Sequence, residues 1–250
     1  MRLLIINPNT TAAITALLEV HAKKVAGFQV QVGAVTARFG APYIACEATY
    51  AVAGHAVLDA WALALTAGST PPDTVLIGCF GDPGLLALRE TSRVPVTGLA
   101  EAAFVEAASH GPFAIVTGGK RWKPMLERLA HQLGYGQLLQ GIHTVVPTGA
   151  ELAQNPIEAR RLLTAACQQA VKDFQAKAVI LGGAGLAGMA AAVQADVAVP
   201  VIDSVLAGTR QALLRVKQKS GLTAELSGRF DVCWQSVSAE LAALGSVAGG

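Results

Sequence analysis

The sequence is short of charge, of aromatic rings and of cysteine, and each shortage narrows what it can be. Charged residues are 14% of the 250, with 19 Lys and Arg against 17 Asp and Glu. So even a balance gives no general pull towards nucleic acid or an anionic membrane, and neither is expected as a partner. The four cysteines, Cys46, Cys79, Cys167 and Cys233, lie far apart with no CxxC spacing. A disulfide framework or thiolate zinc site is therefore not expected; free thiols in a cytoplasmic protein are. His21, His55, His110, His131 and His143 show no metal-ligand spacing, and neither metal nor cofactor is expected. A membrane-length apolar run is also missing. The longest candidate in the sequence, residues 178–193, is too short and is broken by Gly182, Gly183, Gly185 and Gly188. The opening MRLLIINPNTT has no signal-peptide core. What is present is a 52% hydrophobic fraction with 26 glycines, too apolar for disorder. Its Ala, Val and Leu suit helices laid on sheets covered on both faces. The length fits one large α/β domain or two lobes.

Short β-rich runs alternate with helical patterns along the whole chain. Strands are expected at 3–6, 29–34, 74–78, 94–96, 113–116, 142–146, 178–181 and 199–202. Helices are expected after Thr10, over 50–67 with Gly54 a weak point, and at 101–109, 123–133, 156–174 and 204–218. Asp82-Pro83 reads as an N-cap followed by proline at the first helical position. The Gly/Ala-rich tail after Ala242 is expected to fray. Alternation of this kind means a mainly parallel sheet with right-handed crossovers.

The most informative feature is an internal repeat. TVLIGCFGDPG from Thr74 matches AVILGGAGLAG from Ala178 at an offset of 104 residues, and Val94-Pro95-Val96 matches Val199-Pro200-Val201 at 105. A weaker echo relates LLIINPNTT from Leu3 to FAIVTGGKR from Phe113. Two copies of one plan predict two similar lobes, related by a pseudo-two-fold axis. Their glycine loops, at the carboxyl ends of strands, should face one cleft. Such loops bring backbone N–H groups close to a carboxylate, an imide carbonyl or an enolate oxygen. Cys79 stands in the first loop, where helix-end amides would favour its thiolate, which makes it a candidate base or nucleophile. Cys167 and Cys233 read as buried, inert side chains. Gly183 to Gly188 also matches GxGxxG, with Asp203 twenty residues beyond Gly183, as in a dinucleotide fingerprint. Against it, the motif lies late in the chain, its repeat partner does not fit, and the helix after it is short.

The segments INPNTT, GCFGDPGLLALRE, VPVTGLAEAA and LGGAGLAGMA…VPVIDSV together resemble the Asp/Glu/hydantoin racemase superfamily, nearest its hydantoin and allantoin racemases. The likeness runs from Leu3 to about Val205. It implies a two-lobed α/β fold, with residues 1–98 plus 204–250 as the first lobe and 99–203 as the second. It implies a small-molecule substrate, a homo-oligomer, and cofactor-independent racemisation by two cysteines on opposite faces of a carbon next to a carbonyl. Cys79 matches the first of these cysteines. The second falls on Gly183, as the repeat also requires, and glycine carries no proton-transferring group. The sequence could be an engineered variant, a relative that uses water or another group there, or an enzyme of one-sided chemistry. Arylmalonate decarboxylase, in the same superfamily, works one-sidedly with a single thiol. A non-catalytic binding protein remains a further alternative. Asn9 and Thr10 lie in a loop that faces substrate in the superfamily, and Thr10 or Thr11 could instead cap the next helix. Phe80, Gly81, Ala184 and Gly185 are expected beside the substrate, and Thr117 and Gly118 could present a hydroxyl and amides. Glu101 resembles a family position or caps its own helix; Asp203-Ser204 reads more simply as a cap. Lys120-Arg121-Trp122-Lys123 reads as a solvated helix start.

Overall fold

The computed structural model describes residues 1–66, 70–146, 151, 155–218 and 233–245. Two four-stranded sheets, each wholly parallel, repeat one strand order. In the first, β1 (Arg2–Asn7), β2 (Gln31–Thr36), β3 (Thr74–Ile77) and β4 (Val96–Gly98) are arranged β2-β1-β3-β4. In the second, β5 (Phe113–Gly118), β6 (Leu139–Val145), β7 (Ala178–Gly182) and β8 (Val201–Asp203) are arranged β6-β5-β7-β8. The repeat read in the sequence is thus a repeat of topology, and β1 and β5 occupy equivalent central places.

Burial explains the strand sequences. β3, β5 and β7 are buried at every residue, which is why they read as continuous apolar runs rather than alternating ones. Edge strand β2 begins with alternate exposed and buried residues. β4 and β8 start two residues later than the VPV repeats suggest. Proline has no N–H to give a ladder, but its carbonyl still serves: Val75 N donates to Pro95 O and Val179 N to Pro200 O, both at 2.9 Å.

Nine helices are described: α1 (Ala12–Ala26), α2 (Glu47–Thr66), α3 (Leu85–Thr91), α4 (Leu99–Ala108), α5 (Trp122–Gln132), α6 (Pro156–Phe174), α7 (Met189–Val193), α8 (Ser204–Gln218) and α9 (Ala239–Gly245). Among the described residues α2 is the helix with the length and hydropathy of a membrane span, rather than the 178–193 run, and it buries Ala53, Ala56, Val57, Ala60, Trp61 and Ala62 in the protein. Gly54 is no weak point there. The helix runs through it unbroken and packs on Gly84, whose β-carbon, were there one, would press on the Gly54 backbone. The tail does not fray at Ala242, because α9 continues to Gly245 with Leu241 buried, and Arg38 joins Glu240 to the buried Asp59 of α2. Residues 67 and 246–250, to which the helix and tail expectations extend, lie outside the described residues.

Asp82-Pro83 does not start a helix. α3 begins at Leu85 with Gly84, in a left-handed conformation, as its N-cap. Asp82 is itself left-handed at φ 52°, and its carboxylate instead accepts hydrogen bonds from Ala100 N at 2.9 Å and Glu101 N at 2.7 Å, capping α4. Glu101, freed from capping, is buried and accepts from Thr97 Oγ1 at 2.9 Å while pairing with Arg89 and Arg215. Asp203 does cap, accepting from Val205 N and Leu206 N of α8.

Candidate functional site

The carboxyl ends of the two sheets enclose a cleft of about 290 Å³. Cys79, Phe80, Asn9, Thr117, Gly118, Gly183, Ala184 and Gly185 line it, so both glycine loops meet in one place. The loops also touch directly. The Phe80 ring covers Gly182 so closely that a β-carbon there would overlap it, and the same ring meets Phe104 edge-on at 6.3 Å.

Each loop is held by its own bonds. Asn7 is fully buried and its Nδ2 donates to Asn9 Oδ1 and Thr15 Oγ1, both at 3.0 Å, while Asn9 Oδ1 also accepts from Thr11 N at 2.9 Å. Thr11 occupies the N-cap of α1, yet its hydroxyl donates to Pro42 O rather than capping. Thr10 lies outside the lining; its N–H donates to Ala41 O at 3.1 Å. Gly81 lies behind the cleft, where Tyr50 Oη donates to its carbonyl at 2.9 Å and the Trp122 ring packs on its Cα. Thr117 Oγ1 donates to Gly182 O at 2.8 Å, so that hydroxyl hydrogen is already committed. Gly183 N donates to Ser204 Oγ at 3.2 Å.

The sulfur and the backbone opposite it differ in character. Burial, and after it the Asp82 carboxylate, push the Cys79 thiol well above the ordinary range. The expected aid from helix-end amides is missing because α3 starts only at Leu85. The resting group is therefore a neutral thiol. Across the cleft Gly183 has φ 143° and ψ 135°, a conformation that side-chain-bearing residues rarely adopt, though a β-carbon there would meet only Leu186 at 3.7 Å.

Other cleft residues went unread in the sequence. Pro42, Tyr43 and Ile44 follow β2, and Ile14 and Leu186 complete an apolar wall with Trp122. A signal existed for the first group, since every loop after a parallel strand reaches this rim. Trp122 was masked by its neighbours: Lys120, Arg121 and Lys123 are exposed as expected, but the indole turns inward. Cys46 is outside the lining and Cys167 is buried in the second lobe's core, but Cys233, expected to be buried, is exposed, because it precedes α9 on the surface rather than packing in a core. Among the described residues no cluster of three or more His, Cys, Asp or Glu could hold a metal. The GxGxxG segment opens a helix of only five residues, α7, and the Asp203 carboxylate is occupied by backbone amides.

Comparison with known proteins supplies the rest. The pattern of the Asp/Glu/hydantoin racemase family matches residues 3–212. A hydantoin racemase of Pseudomonas sp. strain NS671 is 32% identical over 213 residues, covering 85% of this chain and 84% of that protein. The structure of allantoin racemase from Klebsiella pneumoniae is similar with a TM-score of 0.84 and 31% identity, over 99% of this chain and 100% of that one. The allantoin racemase from Pseudomonas fluorescens gives 0.83 and 29%, over 91% and 95%.

Proposed function

The chain belongs to the Asp/Glu/hydantoin racemase family and is an isomerase of the racemase type, and from that premise we propose that it acts, without a cofactor, on the C5–H of a hydantoin or allantoin-like ring, with Cys79 as its one sulfur acid/base. The observation that carries this reading is the shared cleft, with Cys79 on one loop and the bare Gly183-Ala184-Gly185 backbone on the other.

The chemistry follows from the groups present. A C5 proton between a carbonyl and a ring nitrogen is acidic enough for a thiolate to remove, and the enolate so formed can be reprotonated by the thiol. The high thiol pKa makes Cys79 the stronger proton acceptor once ionised, at the cost of a small ionised fraction near neutrality. Because Gly183 N–H is engaged by Ser204, stabilisation of the enolate oxygen falls to the amides of Ala184 and Gly185. Asn9 Oδ1 is bonded internally, so the group it offers a ring carbonyl is its amide NH2. Ile14, Ile44 and Trp122 would shelter an apolar C5 substituent. With no thiol at 183, proton transfer is one-faced: exchange at C5 proceeds for one enantiomer and inversion is slow. The free state of all four thiols fits a reducing, cytoplasmic setting.

The test is deuterium uptake at C5 of each enantiomer of a 5-substituted hydantoin in heavy water. One enantiomer should exchange with retention, and Cys79→Ala should lower that exchange by about a thousandfold or more, in line with loss of a positioned acid/base. Unchanged exchange in folded Cys79→Ala would remove Cys79 from the reaction.

A further inference from the structure

Each lobe ties its glycine loop to the N-terminus of the helix after its fourth strand with a buried aspartate, but the two aspartates stand on opposite sides of the joint. In the second lobe the carboxylate belongs to the strand end. Asp203 Oδ1 accepts from Val205 N at 2.9 Å and Leu206 N at 3.1 Å of α8, and its Oδ2 accepts from Gly188 N of the loop at 2.6 Å. In the first lobe the carboxylate belongs to the loop: Asp82 reaches Ala100 N and Glu101 N of α4. By the repeat, Asp203 corresponds to Gly98 and Asp82 to Leu186. A β-carbon at Gly98 would overlap the Asp82 carboxyl, so the loop's side chain fills the space its counterpart position would need. Asp82 takes a left-handed backbone to do this, a conformation that non-glycine residues rarely adopt. Its N–H donates to Cys79 O at 3.1 Å, closing a tight turn on the sulfur-bearing residue.

We propose that Asp82 is a positioning residue for Cys79: its carboxylate locks the loop onto α4 and thereby fixes the sulfur in the cleft. The importance of Cys79 comes from the racemase reading, but the lock is a property of the loop and can be read without turnover. The groups facing the carboxyl are Glu101 of α4, Arg89 of α3, Tyr50 of α2 and Cys79 of its own loop. Burial pushes Asp82 up to about 7, against the pull of the two amides, so its charge changes near neutrality, and the ionised carboxylate in turn holds the thiol up.

The experiment is the rate of Cys79 alkylation by iodoacetamide across neutral pH, assigned by peptide mass mapping, on the whole chain. In the parent, the logarithm of the rate should rise with pH and bend near neutrality as Asp82 ionises. Asp82→Asn keeps the size but can accept only one of the two N–H bonds and carries no charge. It should alkylate at least about tenfold faster, equivalent to one unit of thiol pKa, and lose the bend. Asp82→Leu should behave likewise. The swap Asp82→Leu with Gly98→Asp copies the second lobe's arrangement and should return the rate to within about threefold of the parent. A folded Asp82→Asn with the parent's rate and bend would overturn the proposal, as would a swap no slower than Asp82→Leu alone. Should Asp82→Asn fail to fold, the parent's bend and the swap still decide, and a parent without the bend counts against the proposal. Correct alkylation behaviour with no deuterium exchange into any hydantoin would leave the lock standing and sink the racemase reading.

Discussion

In the first sheet the third strand runs into Gly78-Cys79-Phe80; in the second the equivalent strand runs into Gly182-Gly183-Ala184. The frames match strand for strand, down to the proline carbonyl that receives the N–H of the second residue of each third strand. What the frames present does not match. At the two matched turns, the first offers a sulfur and an aromatic ring, and the second offers backbone and a single methyl, at Ala184. A duplicated fold fixes where groups can stand; which lobe donates, and which merely accepts, is decided by single residues at the strand ends. That is why topology and chemistry have to be argued separately here.

The sharpest way to break the comparison is to strip the first loop of its ring. Phe80→Ala gives both loops the same alanine, since residue 184 holds that place in the repeat. The ring is buried between Gly182 and Phe104, so its loss should cost about 3–5 kcal/mol. A thermal scan should show the transition fall by roughly 10 °C. A fall within a degree or two would mean that the ring does not join the lobes.

The reverse change clothes the second loop. At Gly183→Cys the β-carbon meets nothing nearer than Leu186 at 3.7 Å, but φ 143° penalises any β-carbon by about 1–3 kcal/mol unless the peptide turns. Gly183→Ala carries the same strain without the sulfur. Both should lose comparable stability by thermal denaturation, and only the cysteine variant should gain inversion of the C5 centre, followed by chiral chromatography. Equal stability of parent and Gly183→Ala would refute the backbone argument. No gain in inversion by Gly183→Cys would count against the alignment of residue 183 with a thiol position.

Much of the frame was legible because repeated strands leave a repeated apolar signature; α6 and α8 were read to their bounds because Pro156 and Asp203-Ser204 mark their starts chemically. The rim of the cleft was legible for the same reason, since strand ends in a parallel sheet are fixed by the alternation. What stayed hidden depended on long-range geometry. Asp82 looked like a local cap because Asp is favoured at an N-cap and Pro at the first helical position, and nothing local says that α4, seventeen residues on, would claim its carboxylate. Trp122 sat among three cations whose exposure was read correctly but did not extend to it. The thiol's titration also needed the structure, because burial and Asp82 act through space rather than sequence.

The smallest test compares the turns after β1 and β5, whose last matched residues are Asn7 and Thr117. Asn7 braces its own turn with bonds to Asn9, Thr11 and Thr15, all local. Thr117 has one such bond, and it crosses to the neighbouring strand at Gly182 O. Thr117→Val keeps the shape and deletes that bond, so it should cost about 1 kcal/mol, with the Gly182 carbonyl left short of one partner. Because that carbonyl belongs to the strand that delivers Gly183, the loss should also show as faster amide hydrogen exchange at Gly183 and Ala184, with the Cys79 loop unaffected. Asn7→Ala should do the opposite, loosening the first lobe's turn and leaving the second lobe's amides at the parent's rate. If either variant loosened both loops alike, the two turns would be one cooperative unit, and the independence of the lobes' rims would have to be given up.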